Sequence, residues 1–253
     1  MSDVDRQSAI PQLAGKRVLV VGASVSIGET VARTALERGA HVAVAARRKD
    51  KLDAIVAQAP DRCWAIQADC SLQADCTRLV ADAAAAMGGI DWLVYTPALF
   101  LLRELNEISA DEWHSIFGLN VIGAASVTSA AMDHLVESRG RALYFTSDST
   151  DANPHWPGLA SYAVSKVALD KLVTCWRTEQ PEVGFSVLEV GGTQDSDGPV
   201  AGGWTPEQTG KFVSQWTALR PTLQSRAVVA DAVLYALSSP SYLEHLTVGP
   251  PRQ

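Results

Sequence analysis

A chain of 253 residues, 47% of them hydrophobic, is long enough to bury one substantial core, and a single α/β domain is the expectation. Asp and Glu outnumber Lys and Arg by 28 to 21, a formal net charge of -7, which leaves no surplus cation for a broad basic face and excludes nucleic acid as an expected partner. No unbroken apolar run reaches the roughly 18 residues that cross a bilayer, and "MSDVDRQSAI" has neither a basic n-region nor an apolar h-region, so no membrane partner and a cytoplasmic location are expected.

"KRVLVVGAS" is a short β-branched run ending in glycine, and "IGETVARTALERGA" has helical spacing, with Ile27, Val31, Ala35 and Leu36 inward and Gly39 closing it. The alternation repeats in "HVAVAA" and "KDKLDAIVAQ", then in "CWAIQA" and "SLQADCTRLVADAAAAM". "IDWLVYT" precedes a long helix from about Asp111 to Ser138, whose start is marked by a capping box, Ser109 with Glu112. "RALYFTS", "SYAVSKVALDKLVTCWRTEQ", "GFSVLEVGG", "RAVVADAVLYALSS" and a last strand near "HLTVG" complete the series. Such alternation requires right-handed crossovers and a doubly wound parallel sheet with helices on both faces, a Rossmann-like single domain. Ligands of these sheets bind at the carboxyl ends of the strands, where chain order reverses. The expected organisation is an N-terminal extension over residues 1–14 and one domain over 15–253. A lid over about 191–222 includes "GGTQDSDGPVAGGWTP", and Trp204 and Trp216 offer apolar contacts to a substrate. Cys63, Cys70, Cys76 and Cys175 lack CxxC spacing, so reduced thiols and no metal site are expected.

Gly22, Ser26 and Gly28 lie in "VGASVSIG", between the first strand and the first helix. A glycine-rich turn there lets the backbone approach a pyrophosphate, and the helix N-terminus offers unpaired N–H groups and a positive dipole end. The acidic residue that would bind a ribose 2′-hydroxyl is missing after the second strand, which ends Ala45, Ala46, Arg47, Arg48. Guanidinium groups suit a 2′-phosphate, so NADP(H) is expected over NAD(H).

In "SYAVSK", Tyr162 and Lys166 stand four residues apart and share a helix face. A phenol titrates near 10, too high for proton transfer at neutrality, and an adjacent ammonium would lower that value. Upstream, "FTSDST" brings hydroxyls to the carboxyl edge of the sheet, and "GLNVIG" puts the polar Asn120 inside the long helix. The glycine-rich turn, "NVIG", the serine-bearing strand end and "YAVSK", in that order, resemble the short-chain dehydrogenase/reductase family over roughly residues 15–250.

The resemblance implies a carbonyl–alcohol oxidoreductase with Tyr162 as general acid or base. Lys166 would lower its pKa and hold the nicotinamide ribose, Asn120 would bind a relay water, and a serine would hold the substrate oxygen. By strand register that serine is Ser147, with "TDANPHWPG" read as a longer loop, whereas the family's usual spacing back from Tyr162 gives Ser149. The implied cofactor contacts are Gly22, Ser24, Ser26, Ile27 and Gly28 at the pyrophosphate, Arg47 and Arg48 at the ribose, and Asp69 with Cys70 near the adenine. Thr96, Gly192 and Thr193 join Tyr162 and Lys166 near the nicotinamide. Asp69 would also serve as a helix N-cap.

Three departures stand out. Ser26 replaces the middle glycine of the family's turn, Tyr95-Thr96-Pro97-Ala98 replaces its NNAG with loss of an asparagine contact, and Gly191-Gly192 replaces its PG. The expected partners are a small, fairly apolar carbonyl or alcohol and further copies of the chain, as a dimer or tetramer. The rival function is a nucleotide-binding sensor or scaffold, for which a retained Tyr162, Lys166 and Asn120 would have no use.

Overall fold

The computed structural model describes residues 12–150, 156–193, 205–207, 210–211, 214 and 223–249. The expected N-terminal extension up to residue 11, most of the expected lid, and Trp204 and Trp216 lie outside the described residues. The chain runs β1 (Arg17–Val21), α1 (Ser26–Glu37), β2 (His41–Ala46), α2 (Lys49–Val56), β3 (Cys63–Gln67), α3 (Gln73–Met87) and β4 (Trp92–Tyr95). After a 3₁₀ turn at Leu105–Glu107 come α4 (Ala110–Phe117), a π-helical segment (Gly118–Gly123), α5 (Ala124–Ser138) and β5 (Arg141–Ser147). Last come α6 (Ala160–Glu179), β6 (Gly184–Val190), α7 (Arg226–Ser238) and β7 (His245–Val248).

Among the described residues the sheet has seven strands in the order β3-β2-β1-β4-β5-β6-β7, every pair parallel. Because successive strand residues point to opposite faces, β1 to β6 feed two cores, while the edge strand β7 is exposed or half-buried. Val18, Val20, Leu143 and Phe145 meet Val31, Ala35, Leu52, Ile55 and Val233 on one side. Leu19, Val21, Ala142 and Tyr144 meet Leu79, Val127, Leu135 and Leu169 on the other. Burial on both faces explains the continuous apolar runs, and each fully buried Val or Leu contributes roughly 1.5–3 kcal/mol.

Ser109 and Glu112 form the expected capping box at the start of α4. From there to Ser138 the chain is one helical run of 29 residues, long and apolar enough by length and composition to span a bilayer, which a count of unbroken apolar residues misses. Its apolar side is used internally, with Ala124, Val127, Ala131 and Leu135 in the core. Chain order reverses between β1 and β4, so the loops after these two strands face each other across the switch point.

Candidate active site

The turn after β1 is shaped by its glycines. Gly22 takes φ +84, and a Cβ there would strike Thr96 Oγ1 and the Pro97 nitrogen. A Cβ on Gly28 would strike the Gly22 carbonyl and Thr96 Oγ1, so helix, turn and the start of the β4 loop meet only because both side chains are missing. Thr96 locks this contact, its N–H and Oγ1 both donating to the Val21 carbonyl at 3.0 and 2.8 Å. Ser26 takes φ +54, the left-handed conformation that its substituted glycine would adopt without strain. Among the described residues no side chain caps α1. Its first-turn N–H groups, Ser26 to Gly28, are therefore the orphan donors of a helix end at the carboxyl edge of the sheet.

Arg47 and Arg48 follow β2 and are exposed. Arg48 Nη2 donates to the buried Ser24 hydroxyl at 3.2 Å, which draws its guanidinium over the turn. Gln67 Nε2 donates to the Arg47 carbonyl at 3.0 Å. After β3, Asp69 is not a helix N-cap: α3 begins four residues later, at Gln73, with Leu72 in the cap position. Asp69 Oδ1 accepts from the Ser71 N–H and hydroxyl at 3.0 and 2.7 Å, and the Asp69 N–H donates to Asp75 at 2.8 Å. Cys70 is buried, and its carbonyl accepts from Cys76 Sγ at 3.4 Å.

At the other end of the site, Tyr162 and Lys166 point the same way from α6, with Lys166 Nζ 5.6 Å from the Tyr162 ring centroid. Both are buried, and Lys166 donates to the Phe145 carbonyl at 2.8 Å. Desolvation dominates each. It lowers Lys166 from 10.5 to about 7. It raises Tyr162 above its ordinary value, against a hydrogen bond with Ser147 that lowers it, while Asp148 adds to the rise. Burial of both groups thus opposes the expected acidification of Tyr162 by Lys166, since it disfavours the charged form of each.

Ser147 ends β5, opposite Val190 of β6. Ser149 lies just past the strand and is buried. Its hydroxyl and N–H donate to Ser147 Oγ at 2.9 and 3.1 Å. The Ser147 hydroxyl donates in turn to Asp148 Oδ1 at 3.5 Å, a long contact that a closer acceptor would displace.

Asn120 sits in the π-helical segment, fully buried. Its Oδ1 accepts from the Leu99 N–H at 2.7 Å, and its Nδ2 donates to the Leu99 carbonyl at 3.1 Å and to Ser165 Oγ at 2.9 Å. Ser165 in turn donates to the Tyr162 carbonyl at 2.7 Å. The amide clamps the β4 loop to α6, and its donors are spent on that clamp.

Tyr95, where an asparagine contact was expected to be lost, makes its own: the buried hydroxyl donates to the Leu119 carbonyl at 2.7 Å. A π-helical turn shifts hydrogen bonding by one residue, and Tyr95 satisfies a carbonyl within it. Gly123, where a Cβ would meet the Tyr95 hydroxyl and the Cys70 carbonyl, lets the segment close on both.

The carboxyl end of β6 is tied by Gln224, which the sequence reading missed. Its N–H donates to the Gly192 carbonyl at 2.9 Å, and its Nε2 donates to the carbonyls of Gly191 and Val248 at 3.3 and 2.8 Å. Thr193 is bridged to Gln224. Phe100 was missed too, and its ring stacks on Tyr162 with centroids 4.2 Å apart. A lone glutamine after a lid, or one phenylalanine in an apolar loop, gives no periodic signal. The one available cue was the uncharged run "PALFLL" on the ligand side of the sheet. Near it, a crevice of about 300 Å³ is lined by Leu102, Arg103, Glu107, Pro157, Gly158 and Lys211 among others.

Residues 16–194 match the family model described as short chain dehydrogenase. A glucose 1-dehydrogenase of Gluconobacter oxydans is 29% identical over 239 residues, covering 91% of this chain and 88% of its own. An oxidoreductase of Sarocladium schorii is 27% identical over 236 residues, 93% of this chain and 94% of its own. A short chain dehydrogenase of Burkholderia cenocepacia, solved in complex with NADP, superposes with a TM-score of 0.81 at 26% identity, covering 94% of this chain and 97% of its own. An alcohol dehydrogenase of Thermococcus sibiricus, complexed with 5-hydroxy-NADP, shares the fold with a TM-score of 0.80 at 24% identity, covering 94% of this chain and 99% of its own. With the matched segment running from the first strand past the last of the site residues, the chain belongs to the short-chain dehydrogenase/reductase family of oxidoreductases.

Proposed function

We propose that the protein interconverts a carbonyl and a secondary alcohol using NADP(H), with Tyr162 giving or taking the proton. The observation that carries this is the cluster of buried Tyr162 and Lys166 with half-buried Ser147, at the same sheet edge as the N-terminus of α1. A nicotinamide dinucleotide, when bound, supplies or accepts the hydride. The chain's own residues fit such a group: the turn at Gly22 and the donors of Ser26 to Gly28 suit a pyrophosphate, and Arg47 and Arg48 suit a 2′-phosphate. Thr193 and Gly192, held by Gln224, lie at the end of β6 and would border the nicotinamide, with Asp69 and Cys70 bordering the adenine.

In reduction, the Ser147 hydroxyl donates to the substrate oxygen and stabilises its developing charge, and Tyr162 delivers the proton. Lys166, held near neutrality by burial, replaces that proton. Asn120, its amide bonded to Leu99 and Ser165, holds Tyr162 and the β4 loop in register. The proposal extends to a homo-oligomer, supported by the exposed apolar residues Val164 and Val167 on α6 and Ile122 in the neighbouring π-helical segment.

Turnover of ketones with NADPH and with NADH tests the cofactor assignment. Wild type should favour NADPH in kcat/KM by at least about tenfold, and Arg47→Ala/Arg48→Ala should bring the two within about twofold. A wild type that uses NADH equally well contradicts it.

A further inference from the structure

The loop after β4 reads "TPALFLLRE" over residues 96–104, and from Pro97 to Leu102 it has neither a charge nor a hydrogen-bonding side chain. Phe100, in its middle, lies on Tyr162 with ring centroids 4.2 Å apart and planes at 24°. The contact is built in from both sides. On one, Asn120 grips the Leu99 backbone through two hydrogen bonds of 2.7 and 3.1 Å. On the other, the Arg103 N–H donates to the Gly158 carbonyl at 3.0 Å, just ahead of α6, and Leu102 lies so close to Gly158 that a Cβ there would strike it. Phe100 is thereby fixed between the helix of Asn120 and the helix of Tyr162.

The polar groups acting on Tyr162 come from elsewhere: Lys166 on its own helix, and Ser147 and Asp148 at the end of β5. The first charge on the Phe100 loop is Arg103, which is paired with Glu112 at 3.3 Å. A hydroxylated substrate set against this loop would leave its hydroxyls without partners, a desolvation cost that an apolar group avoids. An aromatic group gains further from ring contact with Phe100, which is only half-buried.

We infer that Phe100 is a specificity-determining residue, and that the substrate is a ketone or secondary alcohol whose reacting carbon bears an aryl group packed against its ring. This rests on the oxidoreductase reading above. The test compares acetophenone, cyclohexyl methyl ketone and dihydroxyacetone as substrates with NADPH in wild type, Phe100→Ala and Phe100→Leu, with ketone binding followed separately by protein fluorescence. Wild type should favour acetophenone over dihydroxyacetone by at least about tenfold in kcat/KM. Phe100→Ala should lose at least about tenfold on acetophenone, chiefly in KM, beyond whatever it loses on dihydroxyacetone. If Phe100→Ala does not fold, Phe100→Leu decides, and it should abolish any preference for acetophenone over cyclohexyl methyl ketone. A flat substrate ratio in wild type, or one unchanged by the variants, overturns the role of Phe100 and leaves the oxidoreductase reading standing. If no ketone is reduced, that reading fails and fluorescence decides Phe100: acetophenone binding lost in the variants supports it, and binding retained or absent throughout overturns it.

Discussion

Lys166 shows how burial sets chemistry at the scale of one residue. Removed from water, it is lowered to about 7, so between about 7 and the ordinary 10.5 the unfolded chain binds a proton that the folded chain has released. The contribution of Lys166 to stability therefore rises with pH across that window and is most unfavourable below it. Lys166→Met should be more stable than wild type at about pH 6, with the gap narrowing by about 2 kcal/mol by pH 9, as thermal unfolding in matched buffers would show. A gap independent of pH would mean that Lys166 is not desolvated. Ser147 and Ser149 make a second case. Their order of importance was open in the sequence because it depends on loop length before Tyr162, which spacing alone does not give. In the fold, Ser149 donates twice to Ser147, and Ser147 acts on Tyr162. Ser147→Ala should cost about 10²–10³ in kcat, and Ser149→Ala less than about tenfold, read from steady-state reduction. Asp69 failed as a cap for a local reason: its carboxylate is taken by Ser71, two residues on, before the helix begins.

Among the elements, the run through α4 and α5 was legible in outline, since its capping box and its apolar spacing are local signals. The π-helical segment inside it was not, because one residue of slippage over Gly118–Gly123 barely alters a hydrophobic pattern. What fixes the slippage is long-range: Tyr95 from β4 satisfies Leu119, and Asn120 then reaches Leu99. Tyr95→Phe leaves the Leu119 carbonyl buried without that donor, and should lower stability by about 1–3 kcal/mol in urea unfolding. It should also reduce kcat, since Asn120 and the Tyr162 helix hang on the same segment. Stability and kcat both unchanged would show that Tyr95 fills space only. The turn after β1 was legible through Gly22 and Gly28, and Ser26 shows that its middle position tolerates a side chain at φ +54.

For the whole molecule, strand-helix alternation was enough to foresee a parallel sheet, because strands buried on both faces must be apolar throughout and crossovers must be right-handed. That order places the turn after β1, the Phe100 loop after β4 and the serines after β5 along one edge, where the helix carrying Tyr162 and Lys166 reaches them. Sequence could name these residues but not the balance among them, since desolvation is a property of the assembled core. The most direct measurement is turnover and NADPH binding in Tyr162→Phe, which keeps the ring on Phe100 and removes only the proton-bearing oxygen. Ketone reduction should fall by at least about 10³-fold while the NADPH dissociation constant changes by less than about threefold. Reduction within about tenfold of wild type would contradict the assignment of Tyr162 as the proton-transferring group.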